Sequence, residues 1–84
     1  MGALNEEIKN VIGSIEEVQA DTSMPKNVKD KLNDVIMILK GNHDGESIKI
    51  SKARDKIEEI VDDANLQPYA RTQIWNLASM LEAM

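Results

Sequence analysis

His43, Asp44 and Glu46 fall in the segment HDGE, where an imidazole and two carboxylates stand close enough in sequence to suggest a metal site. Zinc centres gather three or four convergent ligands, mostly nitrogen or sulfur donors, and one histidine with two loop carboxylates falls short of that set. Turn chemistry accounts for Asn42, Asp44 and Gly45 without a metal. Cysteine is absent, so disulfides, thiolate catalysis and cysteine-ligated metals are excluded together. With no histidine-centred constellation and no cofactor motif, the expectation is a non-enzyme with no catalytic residue, no metal and no cofactor.

Carboxylates are the remaining chemistry. Glu16, Glu17 and Asp21 recur as Glu58, Glu59 and Asp63, joined by Asp62. On helices, Glu58 and Asp62 are like charges one turn apart, as are Glu59 and Asp63, and acids near a helix C-terminus oppose its dipole. This locally unfavourable choice is made twice. If both clusters lie at one end of a bundle, the N-termini of neighbouring helices, with Lys26, Lys29 and Arg71 as counter-charges, compensate them; a cation or a basic partner is the alternative.

Between residues 49 and 56, KISKARDK supplies Lys49, Lys52, Arg54 and Lys56. A phosphate-binding stripe needs more positive charge and stacking aromatics, so a solvated helix face is expected. The formal net charge is -5 and the pI is near 4.7. Residues 1–42 carry 5 basic against 7 acidic side chains and residues 43–84 carry 5 against 8, so no detached basic tail offsets the acidity. Direct nucleic-acid binding is not expected, because such affinity rests on cationic neutralisation of phosphates. No apolar run approaches the roughly 18 residues needed to span a bilayer, and no signal pattern opens the chain. Met1-Gly2 resembles the start of a myristoylation site, but Glu6 stands where Ser or Thr is needed. The expectation is a cytoplasmic protein with no membrane association and no small-molecule substrate.

Helices must position these groups. From residue 4 to residue 18 the apolar side chains are Leu4, Ile8, Val11, Ile12, Ile15 and Val18, the spacing of one helical face. DTSMP, residues 21–25, breaks the period, with Asp21, Thr22 and Ser23 as capping candidates and Pro25 in a first-turn position. A second helix carries Val28, Leu32, Val35, Ile36 and Leu39, and Gly41 is placed to cap its C-terminus. The third carries Ile50, Ala53, Ile57, Ile60, Val61 and Ala64; the fourth, entered through Pro68, carries Ala70, Ile74, Leu77, Ala78 and Leu81. Strand alternation appears nowhere.

The two halves match at an offset of 42: Ile8 with Ile50, Ile15 to Glu17 with Ile57 to Glu59, Asp21 with Asp63, Leu39 with Leu81. Similar types relate Met24 to Leu66, Lys29 to Arg71, Leu32 to Ile74 and Val35 to Leu77. Two copies are too few for an open solenoid, although the period falls in the range of helical repeats. Two hairpins hide four apolar faces by closing on each other. The prediction is a single all-α domain, a four-helix up-and-down bundle of two duplicated helical hairpins, residues 4–40 and 46–83, with both proline-containing turns at one end.

At 84 residues, with 42 % hydrophobic and 2 % aromatic content, the core must be built from Ile, Leu, Val, Met and Ala. Tyr69 and Trp75 are the only aromatics. Trp75 lies about 100° from Ile74 on a helical wheel, at the edge of the stripe, and either roofs the core or anchors a partner. Tyr69 is expected to cover the end of the core with its hydroxyl in water. Arg71 is placed to pair with Asp63 or Asp62 across the turn. Met37, Ile38, Met80 and Met84, with Trp75, fall outside the main faces and form the candidate interaction surface, unless crowding near the bundle end buries them within the molecule. Gly13 sits outward in the first helix.

The turn SMPKNVK (residues 23–29) followed one repeat later by PYARTQIWNLASMLE (residues 68–82) resembles a small archaeal group, uncharacterised protein family 0147. The likeness extends over most of the chain, with ARTQIWN its most specific part. Lys26 and Lys29 replace a more arginine-rich version of the first turn, which weakens any role needing bidentate arginine contacts. The resemblance implies a compact all-helical archaeal cytoplasmic protein and implies no activity. The functional expectation is therefore a protein-protein interaction or oligomerisation module. Its alternative is an accessory factor that grips a basic protein of nucleoprotein machinery through the acidic end.

Overall fold

The computed structural model describes residues 6–41, 45–64 and 66–83, and among these it contains four helices and no strand. They are α1 (Glu6–Gln19), α2 (Lys26–Lys40), α3 (Glu46–Val61) and α4 (Pro68–Glu82). Each packs against two neighbours: α1 and α3 both touch α2 and α4, while α1 lies diagonal to α3 and α2 diagonal to α4. Short connections make successive helices antiparallel, so the arrangement is the up-and-down bundle. The radius of gyration is 12.3 Å, against about 12 Å for a compact chain of this length.

The stripes read from the sequence are the core. Ile8, Val11, Ile12, Ile15 and Val18 of α1, all five stripe residues of α2 and all five of α4 are buried. In α3, Ala53, Ile57, Ile60 and Val61 are buried, while Ile50 is half-buried against the core. Ala64 departs from expectation: α3 stops at Val61, and Ala64 is exposed in the turn beyond it. Leu4 lies outside the described residues. No polar or charged residue is buried among those described, so burial of aliphatic surface closes the bundle.

The internal repeat is visible in the backbone. At the end of α1, Ala20 N–H donates to the Glu16 carbonyl, Asp21 N–H to Val18 and Met24 N–H to Asp21. Forty-two positions later, Asp62 donates to Glu58, Asp63 to Ile60 and Leu66 to Asp63. Helices α2 and α4 begin and end at equivalent positions. Met24 and Leu66, both buried, therefore plug the same end of the core from the two turns. Neither was in a stripe, because an isolated apolar residue between turn residues has no period to betray it.

Helix entry differs from the expected capping. Pro25 is itself the residue before α2, with no side-chain cap, and Asp21 and Ser23 fold the turn instead. Pro68 does occupy the first turn of α4, where its missing N–H costs nothing. Gly41 follows α2 in extended conformation and donates to the Ile38 carbonyl at 3.3 Å.

Candidate functional site

Both hairpin turns meet at one end of the bundle, and a hydrogen-bonded cluster ties them together. The Asp21 carboxylate accepts at Oδ1 from the Ser23 backbone N–H at 2.9 Å and from Ser23 Oγ at 2.7 Å. This is the side-chain turn that Asp and Ser readily form. At Oδ2 it accepts from the Tyr69 hydroxyl at 2.8 Å, and Gln73 Nε2 donates to that hydroxyl at 2.9 Å. The bond forms because α1 ends beside the start of α4. Tyr69 was expected to leave its hydroxyl in water; the residue is 57 % exposed, yet the hydroxyl is engaged on both sides.

Bonds from Ser23, first through its hydroxyl and then its backbone, and from Tyr69, hold the Asp21 carboxyl below its ordinary value, with a small contribution from the Lys29 charge. Two more side chains brace the same turns. Gln19 Nε2 donates to the Lys29 carbonyl at 3.0 Å, and Arg71 Nη2 donates to the Asp63 carbonyl at 3.1 Å. Arg71 thus reaches Asp63, as its position predicts, through a backbone oxygen.

The acidic residues share this end. Glu16, Glu17, Glu58, Glu59 and Asp62 are exposed, and Asp21 and Asp63 are half-buried. They ring the end rather than converge: among the described residues no group of three or more His, Cys, Asp or Glu is arranged to hold a metal ion. His43 and Asp44 lie outside the described residues. From the basic half of α3, Lys56 reaches Glu59 at 3.7 Å, and Arg54 lines a groove with Ile50 and Leu81 toward the opposite end of the helix.

The surplus apolar residues divide. Ile38 and Met80 pack, half-buried, against the core. Met37 is 63 % exposed on α2 and Trp75 is 49 % exposed on α4, two helices that do not touch. Trp75 thus leaves about half its surface in solvent. Ile48, 52 % exposed at the start of α3, was missed; its place opposite the α3 stripe was the available signal. Met84 lies outside the described residues.

The profile of the Uncharacterised protein family (UPF0147) matches residues 1–84. The chain belongs to this family. A UPF0147 protein of Methanosarcina mazei is 30 % identical over 80 residues, covering 95 % of this chain and 86 % of that one. One of Sulfurisphaera tokodaii is 32 % identical over 77 residues, covering 92 % and 86 %. The fold is likewise that of a crystal structure described as unknown function protein MMP1188, with a TM-score of 0.86 at 26 % identity, over 98 % of this chain and 96 % of that one. UPF0147 membership therefore extends over the whole bundle, the turn-end cluster and Trp75 included. No helix among the described residues is long and apolar enough to cross a membrane.

Proposed function

We propose that this UPF0147 protein is a non-enzymatic protein-interaction module of the cytoplasm that self-associates through an outer helix face. One observation carries the reading: Trp75 keeps about half its surface in water and is not among the buried core residues. A solvent-facing Trp is the side chain most enriched at interface centres. Helices α2 and α4 do not touch, so a two-fold pair uses one of their outer faces, and the larger apolar side chain selects α4. The carboxylate shifted by its neighbours, Asp21, has its oxygens occupied by the turn, which fits a structural role better than a catalytic one. Nitrogen-15 NMR spectra at low and high protein concentration test this. The Trp75 indole signal is expected to move with concentration, and an unmoved indole over that range contradicts self-association through α4.

A second reading is favoured by the turn end, where Glu16, Glu17, Glu58 and Asp62 are exposed together around the two turns. It is an accessory role in which this end binds a basic protein of nucleoprotein machinery. Such binding is lost as salt screens it, so retention of basic proteins at low but not high ionic strength is the expected result. Their absence from both fractions removes the reading.

A further inference from the structure

The two seams between hairpins are related by the internal repeat, yet charged positions in one hairpin are neutral at their equivalents in the other. In α3, Lys56 lies half-buried and its Nζ approaches Glu59 Oε2 at 3.7 Å, one helical turn away. The equivalent positions in α1 are Ser14 and Glu17. Lys31 of α2 is matched in α4 by Gln73, so this basic position too is neutral in its counterpart. The exchange of Lys for Ser shortens the side chain by its entire aliphatic stem.

A groove of about 410 Å³ opens along the α1–α4 seam at this place. Ser14, Gln73 and Asn76 stand along it with the carboxylates of Glu17 and Asp21, and among the described residues no basic one lines it. Its lining is mainly polar, with half-buried Met80 as its chief apolar side chain and Val18 and Leu77 buried beneath. Asp21 spends its oxygens on Ser23 and Tyr69, while Glu17 is exposed and no ion pair among the described residues holds it. A mainly polar groove with an exposed carboxylate beside it suits a cationic head.

We infer that the α1–α4 groove receives a lysine side chain from a basic partner protein, its ammonium on Glu17, as Lys56 approaches Glu59 within the chain. This deepens the second reading above and rests on it. Complementarity of charge and the chain's own Lys56–Glu59 pair define the occupant.

The test is NMR titration of the full chain with a capped peptide of alternating lysine and alanine, beside its norleucine counterpart, at millimolar concentration. Shifts are expected at Ser14, Glu17 and the side-chain amides of Gln73 and Asn76 with the lysine peptide only. Ser14→Lys, which restores the repeat's own cation, is expected to weaken binding about tenfold, the effect of losing roughly one good charged contact. Ser14→Ala, which leaves the groove open, should bind as the wild type does. Lys56→Ser should add a second set of shifts around Glu59. Binding unchanged by Ser14→Lys, with shifts confined to Glu58 and Asp62, overturns the groove while leaving the acidic-end reading standing. No shift from either peptide overturns both, and equal shifts from the norleucine peptide show that the groove does not select a cation.

Discussion

The Tyr69 hydroxyl donates to Asp21 Oδ2 at 2.8 Å, joining residues 48 positions apart and fastening the first turn of α4 to the turn that follows α1. Without this bond, the two hairpins would meet at this end mainly through Met24, Leu66 and the apolar stripes.

Tyr69→Phe removes one of the three bonds that hold the Asp21 carboxyl low, so its pKa should rise toward the ordinary 3.8. The sign follows from linkage. A carboxyl with a depressed folded pKa contributes stability that is fully present above the unfolded value and disappears as pH falls through the folded one. Wild type should therefore lose this contribution only below pH 3.8, and Tyr69→Phe should have less of it to lose. Carbon-13 titration of the Asp21 carboxyl checks the shift, and an identical titration in both proteins contradicts the bond.

Gly13 lies within α1, and a Cβ built on it meets nothing within 4 Å. Gly13→Ala should stabilise the fold by up to about 1 kcal/mol through helix propensity and a less flexible unfolded chain. For a domain of this size that raises Tm by about 4–8 °C, readable by circular dichroism. A fall in Tm would mean that the glycine answers a packing need absent from this structure.

Leu32 and Ile74 occupy equivalent places in the two hairpins and are both fully buried. Truncating either to Ala should cost about 2–5 kcal/mol, a large part of the stability of a small domain. Urea denaturation should give similar losses for the two, since the repeat puts them in similar surroundings. A marked difference between them would show that the hairpins contribute unequally to the core.

Periodicity made the bundle legible, because an aliphatic stripe at helical spacing has few places to hide except against other stripes. It failed where the helical period ends. Ala64 continued the α3 pattern on paper, but Asp62 and Asp63 turn the chain first, and Leu66 takes the buried place. Met24 and Leu66 were recognisable as repeat equivalents but not as core. The Tyr69–Asp21 bond was invisible because nothing local connects positions 48 apart. For the candidate sites, the sequence located the acidic residues and placed Trp75 at the edge of a stripe and Met37 outside one, leaving open whether either was exposed. It could not show that Ile38 and Met80 fold back onto the core, since a residue about 100° from a stripe centre is settled by the neighbouring helix.

The proposal that Trp75 belongs to an interface, and not to the fold, is tested most directly by light scattering on wild type and Trp75→Ala across a wide concentration range. Wild type should pass from monomer to dimer as concentration rises, and Trp75→Ala should remain monomeric with an unchanged Tm. A wild type that stays monomeric to millimolar concentration, or a Trp75→Ala protein that dimerises equally well, would contradict it.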